Sequence, residues 1–143
     1  MNSNFKLLHN ISELEGTCYI EFLPGKYTGK CWNESSIYIN EETFLIFEDL
    51  FKEVLINYDH YSFNEMPASK VRLLKVKLHQ RISILKNLQN NLLNGETLSL
   101  QINELFTQKF KSNQIEIIQM LENFYDWLKK IETQNIPLSI LGI

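Results

Sequence analysis

Asn40-Glu41-Glu42-Thr43-Phe44-Leu45-Ile46-Phe47-Glu48-Asp49-Leu50-Phe51-Lys52-Glu53-Val54-Leu55-Ile56-Asn57-Tyr58 is the stretch that decides the fold class of this chain. Phe44, Phe47, Phe51, Val54, Leu55 and Tyr58 recur at three- and four-residue spacing, which draws a wide apolar stripe along one side of an α-helix. Asn40 suits the N-cap, and Glu41 and Glu42 fall in a first turn whose unbonded N–H groups favour anions. On a helical wheel Glu41, Glu42, Glu48, Asp49 and Glu53 are expected on the opposite side, as an exposed acidic face.

Charge changes sign just beyond this stretch. Glu34 to Glu65 holds eight acids (Glu34, Glu41, Glu42, Glu48, Asp49, Glu53, Asp59 and Glu65) against Lys52 alone. Met66 to Leu88 holds six bases (Lys70, Arg72, Lys75, Lys77, Arg81 and Lys86) and no acid. A net charge of −3 therefore conceals two opposed blocks. Two functions follow from the pattern, and they are compatible. Neighbouring helices can use opposite charge to support their packing, or the acidic block can steer a basic partner.

The basic block lies on a second predicted helix, from about Pro67 to Asn91, with Val71, Leu74, Leu78, Ile82, Leu85 and Leu92 inward and Asn94-Gly95 as its stop. A shorter helix is expected from Ser99 to about Lys111. A last one should follow an Asn113 cap, with Glu116 completing a capping box, and end at Asn135 and Pro137. Between the first two helices, Tyr58 to Glu65 reads as a polar and aromatic loop.

Upstream, the composition turns to β. Thr17–Leu23 and Ser36–Ile39 read as two strands, with Pro24-Gly25 and Gly29 marking the connection. At the other end, Leu138–Ile143 is too apolar for a loose tail and should form a closing strand against that hairpin. The fold class is thus α+β, mostly helical, with a small antiparallel sheet, in a single domain over residues 1–143. A chain of this size can bury about 68–70% of its unfolded surface.

Several function classes fall away. No apolar run reaches the roughly 18–20 residues needed to span a bilayer, and the first residues lack a signal-peptide core, so a cytoplasmic protein without membrane contact is expected. Cys18 and Cys31 read as plain buried thiols. Lys exceeds Arg six to one and Asn and Ile abound, which suggests an AT-rich bacterial coding sequence. His9, His60 and His79 are scattered, with no HExxH-type pair, and His60 reads as a solvated loop residue. There is no GxSxG, P-loop or GxGxxG stretch. No catalytic residue, metal or cofactor is expected. Nucleic acid is disfavoured as well, because the bases of the second helix sit in a domain that is acidic overall.

The build resembles the immunity proteins of contact-dependent growth inhibition and related polymorphic toxin systems. Three parts carry the likeness: Gly16-Thr17-Cys18-Tyr19-Ile20-Glu21-Phe22, the acidic and aromatic region from Asn40 to Phe63, and Trp127-Leu128 followed by Ile136-Pro137-Leu138-Ser139-Ile140-Leu141-Gly142-Ile143. What the resemblance implies is a cytoplasmic protein that neutralises a cognate toxin, commonly a nuclease, by covering its active site or substrate surface. A nuclease must attract phosphate, so its working surface is positive, and an acidic inhibitor can imitate that charge. On charge and aromatic content, the expected contact set is Glu41, Glu42, Glu48, Asp49 and Glu53 on the helix, with Tyr58, Asp59, Tyr61 and Glu65 on the loop. A protein monomeric until it meets the toxin is expected. Reversing Glu48, Asp49 and Glu53 to Lys should then leave the fold intact, since exposed charges add little to stability. The alternative is a non-catalytic adaptor or assembly protein of phage or secretion machinery.

Overall fold

Branched and aromatic residues run through Tyr19–Pro24 (β1) and Ile37–Asn40 (β2), and in a computed structural model these two strands pair antiparallel. The structure describes residues 5–93 and 112–142. The expected Ser99–Lys111 helix and the Asn94-Gly95 stop lie outside the described residues. Beyond β2 come α1 (Glu41–Phe44), α2 (Glu48–Val54), β3 (Phe63–Met66), α3 (Ala68–Leu93), α4 (Gln114–Gln134) and β4 (Leu138–Leu141). The sheet is antiparallel in the order β2-β1-β4-β3, and the fold is α+β as the sequence predicts.

Leu138–Leu141 does more than close the hairpin. It is an interior strand, paired on one side with β1 (Phe22 opposite Ile140) and on the other with β3 (Asn64 opposite Ile140). All four of its residues are buried. Strand β3 (Phe63–Met66) departs from expectation, because its first three residues fall in the stretch from Tyr58 to Glu65 expected as loop. Four residues of mixed polarity are too few to show a period, and an available β4 edge supplied the hydrogen bonds that made them a strand.

The pleat sends Ile20, Phe22, Ile37, Ile39, Met66, Leu138 and Ile140 to the helical side, where the main core forms. Phe22 is its hub, with ring centroids 5.5 Å from Phe44, 5.8 Å from Phe51 and 5.1 Å from Phe124. Helix α3 adds Val71, Leu74, Leu78, Ile82 and Leu85, and α4 adds Ile117, Leu121, Phe124, Leu128 and Ile131. Asn135 ends α4 in the left-handed conformation, with φ of 54°, and its N–H bonds to Glu132. At the other end Asn113 is the N-cap, but no side-chain capping bond forms, contrary to the expected capping box.

The helix expected from Asn40 to Tyr58 is interrupted. Asn40 caps it as anticipated, accepting the Glu42 N–H at 3.0 Å. The chain then passes through tight turns at residues 45–47, where Ile46 and Phe47 donate to the carbonyls of Thr43 and Phe44, each at 3.1 Å. The cause is Ile46. On a straight helix it would lie about 200° from Phe44, pointing to water. The break lets Ile46 and Phe47 both enter the core beside Phe44. Burying one more aliphatic side chain is worth about 1.5–3 kcal/mol, more than the net contribution of about 0.5–1.5 kcal/mol from a typical hydrogen bond that a regular helix would have kept.

The second face of the sheet holds Glu21, Leu23, Tyr38, Ser139 and Leu141 under the 25–36 connection. Glu21 is 2% exposed and organises that connection. Its carboxylate accepts the N–H groups of Trp32 (2.7 Å) and Asn33 (3.0 Å), the Asn33 side-chain amide (2.9 Å) and the Ser36 hydroxyl (2.6 Å). Trp32 reaches it with a φ of 65°. Burial and the Glu21 charge together push the neighbouring Tyr38 hydroxyl up to about 12, so it stays a donor, to the Asn33 carbonyl at 2.5 Å. Replacing Glu21 by Ala is expected to cost about 1–3 kcal/mol, because backbone donors lose their acceptor while half-exposed Trp32 and Asn33 regain some water. A urea melt monitored by tryptophan fluorescence checks this, and an unchanged midpoint would remove Glu21 as the organiser of the connection. The two thiols depart from the buried state expected of them: Cys18 is exposed and Cys31 half-buried, and both are free.

Candidate functional site

The connection from α2 to β3 leaves the helix at Leu55 in extended backbone and turns at residues 59–62. Two side chains hold the turn from opposite sides. Asp59 accepts the Tyr61 N–H at 3.0 Å and the Ser62 hydroxyl at 2.9 Å. Asn64 accepts the Asp59 N–H at 3.1 Å, and its amide donates to the carbonyls of Asp59 (2.9 Å) and Ser62 (3.1 Å). The Tyr61 N–H and Ser62 hydroxyl bonds, followed by the charge of His60, keep the Asp59 carboxyl below the usual carboxylate range. Gly142 passes directly against the turn. A Cβ there would lie 2.7 Å from the His60 carbonyl oxygen and 3.0 Å from that of Ser62, so only glycine allows the approach.

His60 departs from the solvated state expected of it. Its imidazole is wedged between the two short helices, with Nε2 3.0 Å from Glu41 Oε1 and Nδ1 in hydrogen-bond contact with Glu48 Oε2. The Tyr58 hydroxyl donates to the same Glu48 oxygen at 2.7 Å. Glu48 is 4% exposed, so the acid expected on the outer face is inside. The reason is its spacing. Glu48 lies four residues after Phe44 and three before Phe51, which puts it on the flank of the apolar stripe. A buried carboxylate requires donors, and His60 and Tyr58 are those donors. Burial, with the Glu48 bond added, pushes the Tyr58 hydroxyl well above the ordinary tyrosine range, so it remains protonated.

The other expected contact residues scatter. Asp49 bonds Arg81 of α3, which also donates to the Ile46 carbonyl at 3.4 Å. Glu53 pairs with Lys77 of α3 at 3.3 Å. The rest of the basic helix turns to α4, with Arg72 and Lys75 on Glu132 and Lys86 on Glu122. The charge switch is therefore used within the fold: Asp49 and Glu53 on one side and five of the six bases on the other have partners. Glu42, Asp59, Tyr61 and Glu65 are exposed, while Glu41 and Tyr58 are half-buried beside His60.

The pinned loop presents large apolar side chains to solvent. Ile56 is 97% exposed, Tyr61 79% and Phe63 49%. The Tyr61 ring stands edge-on to His60, with centroids 4.7 Å apart, and Tyr27 from the 25–36 connection packs on Phe63 at 4.9 Å. Ile56 and Phe63 share an open groove of 370 Å³ with Leu55, Tyr58, Pro67 and Lys70. Asp59 and Glu65 add charge along this stretch. Phe63 falls within the Tyr58–Glu65 loop expected at the contact, although it is not in the expected contact set. Ile56 was missed because an apolar residue next to a helix reads as core and nothing local says that it faces water.

Among the described residues no group of three or more His, Cys, Asp or Glu side chains is placed to hold a metal ion, and no helix is long and apolar enough to cross a membrane. Comparison with protein-family models, curated proteins and solved structures found no match.

Proposed function

We propose that this chain is a cytoplasmic binding protein that neutralises a cognate toxin, with no catalysis of its own, and that the 56–65 segment is the centre of its contact surface. One observation carries the reading: Tyr61 and Phe63 are held in water on a backbone fixed by Asp59, Asn64 and the His60 cluster, with Ile56 exposed beside Phe63 at the same groove. Exposed anchors on a rigid support lose little freedom on binding, which is what concentrates affinity in a few residues. Asp59 and Glu65 beside them, with Glu41 and Glu42 on α1, supply negative potential suited to a basic partner surface, such as that of a nuclease.

The test pairs the chain with the C-terminal region of whichever polymorphic exoprotein genome sequencing of the host finds immediately upstream of it. Co-expression should restore growth, and calorimetry should show a one-to-one complex. Tyr61→Ala and Ile56→Ala should each weaken that complex about 30-fold, the scale of an interface hot spot near 2 kcal/mol. Both side chains are exposed, so the melting temperature should hold. Absence of binding by the wild-type chain would overturn the reading.

A second reading, an adaptor or assembly protein, is favoured by one feature. Leu73, Val76 and Ile84 lie exposed on one side of α3. Light scattering on the purified chain separates the two: a dimer broken by Val76→Glu favours assembly, and a monomer favours the first reading.

A further inference from the structure

We propose that His60 is held as a doubly protonated imidazolium between Glu41 and Glu48, and that this cation latches the 58–62 segment onto α1 and α2 and releases it as pH rises. The inference names a regulation of the surface proposed above. It rests on that reading only for the use of the loop, since the latch itself belongs to the chain alone.

Between two carboxylates this geometry calls for two donors. Nδ1 meets Glu48 Oε2 and Nε2 meets Glu41 Oε1. An ionised carboxylate accepts hydrogen bonds and donates none, and a neutral imidazole carries a single N–H. With one proton lost, one of the two contacts would set a nitrogen lone pair against a carboxylate oxygen. The Tyr58 hydroxyl cannot relieve this, because its proton is already committed to the same Glu48 oxygen.

The titratable groups facing the imidazole are Glu41 from α1, Glu48 from α2 and, from its own loop, Tyr58, Asp59 and Tyr61. The 142 segment adds only backbone at that position. Every full charge in this set is negative. Burial alone would lower the proton affinity of His60, but the hydrogen bonds and charges of Glu41 and Glu48 outweigh it, so its pKa lies above the ordinary value. The sign of the linkage follows. A histidine whose pKa is raised by folding stabilises fully below its unfolded value of about 6.5, and that contribution disappears as pH climbs through the folded value. Release would free His60, Tyr61 and the 59–62 turn while α1, α2 and the sheet remain.

The experiment uses the whole chain and no partner. The imidazole resonances of histidine-labelled protein are followed from pH 5.5 to 9, assigned with His60→Gln, alongside amide hydrogen exchange of residues 59–62 corrected for intrinsic base catalysis. His60 is expected to titrate above about 6.5, and exchange at 59–62 should accelerate through the same midpoint. Glu41→Gln keeps the shape of a half-exposed side chain and removes one carboxylate charge. It should move both the titration and the loosening down by about one pH unit. His60→Gln should exchange quickly throughout, with no midpoint. A His60 titrating at or below the ordinary value would overturn the latch, as would exchange that ignores its titration or a Glu41→Gln variant that shifts neither. A chain that meets these expectations yet binds no toxin would keep the latch and sink the proposed function.

Discussion

Deleting residues 138–143 is expected to abolish the fold. A closing strand at a sheet edge would cost its own burial when removed. Leu138–Leu141 instead lies between β1 and β3, so its loss splits the sheet and leaves two edges without partners. Leu138, Ile140 and Leu141 are each at most 2% exposed. Burial of such side chains contributes about 1.5–3 kcal/mol apiece, and the facing surfaces of Phe22, Leu23 and Met66 would be newly wetted. A domain has only about 5–15 kcal/mol of net stability. The truncated chain should therefore lack a cooperative urea transition and a near-ultraviolet dichroism signal. A truncation that melts at the wild-type midpoint would show that β4 is dispensable.

Reversing Glu48, Asp49 and Glu53 to Lys is expected to unfold the protein or to lower its stability by about 5 kcal/mol or more. This corrects the expectation drawn from an exposed acidic face. Lys at position 48 would place a buried cation against His60 and leave the Tyr58 hydroxyl without its acceptor. Removing one partner of a buried ionic contact costs about 3–5 kcal/mol. Lys at 49 would confront Arg81, itself nearly buried, and Lys at 53 would confront Lys77. The single reversals separate the contributions. Glu48→Lys should carry most of the loss, while Glu53→Lys should cost no more than about 1 kcal/mol, as suits an exposed pair. A triple variant with a wild-type thermal melt would mean that these contacts do not hold the helices together. A test of steering is better made at Glu42 and Glu65, whose carboxyl groups are exposed.

Much was determined by the amino-acid sequence by itself. The apolar periods of α3 and α4, the strand composition of β1 and β2, and the greasy close at Leu138–Leu141 all describe which residues must leave water. That demand is set by side-chain chemistry and by the fixed periods of helix and strand, so it can be read locally. The flank position of Glu48 was equally present in the spacing from Phe44 to Phe51, and a stricter wheel reveals it. What only the tertiary structure decided is where each demand is met. Ile46 enters the core because the chain breaks at 45–47, and Phe63–Met66 becomes a strand because β4 leaves it an edge to pair with. His60 meets Glu41 and Glu48 across nineteen and twelve residues. A buried carboxylate draws whichever donor the packed chain brings near, and no local pattern records which one that is.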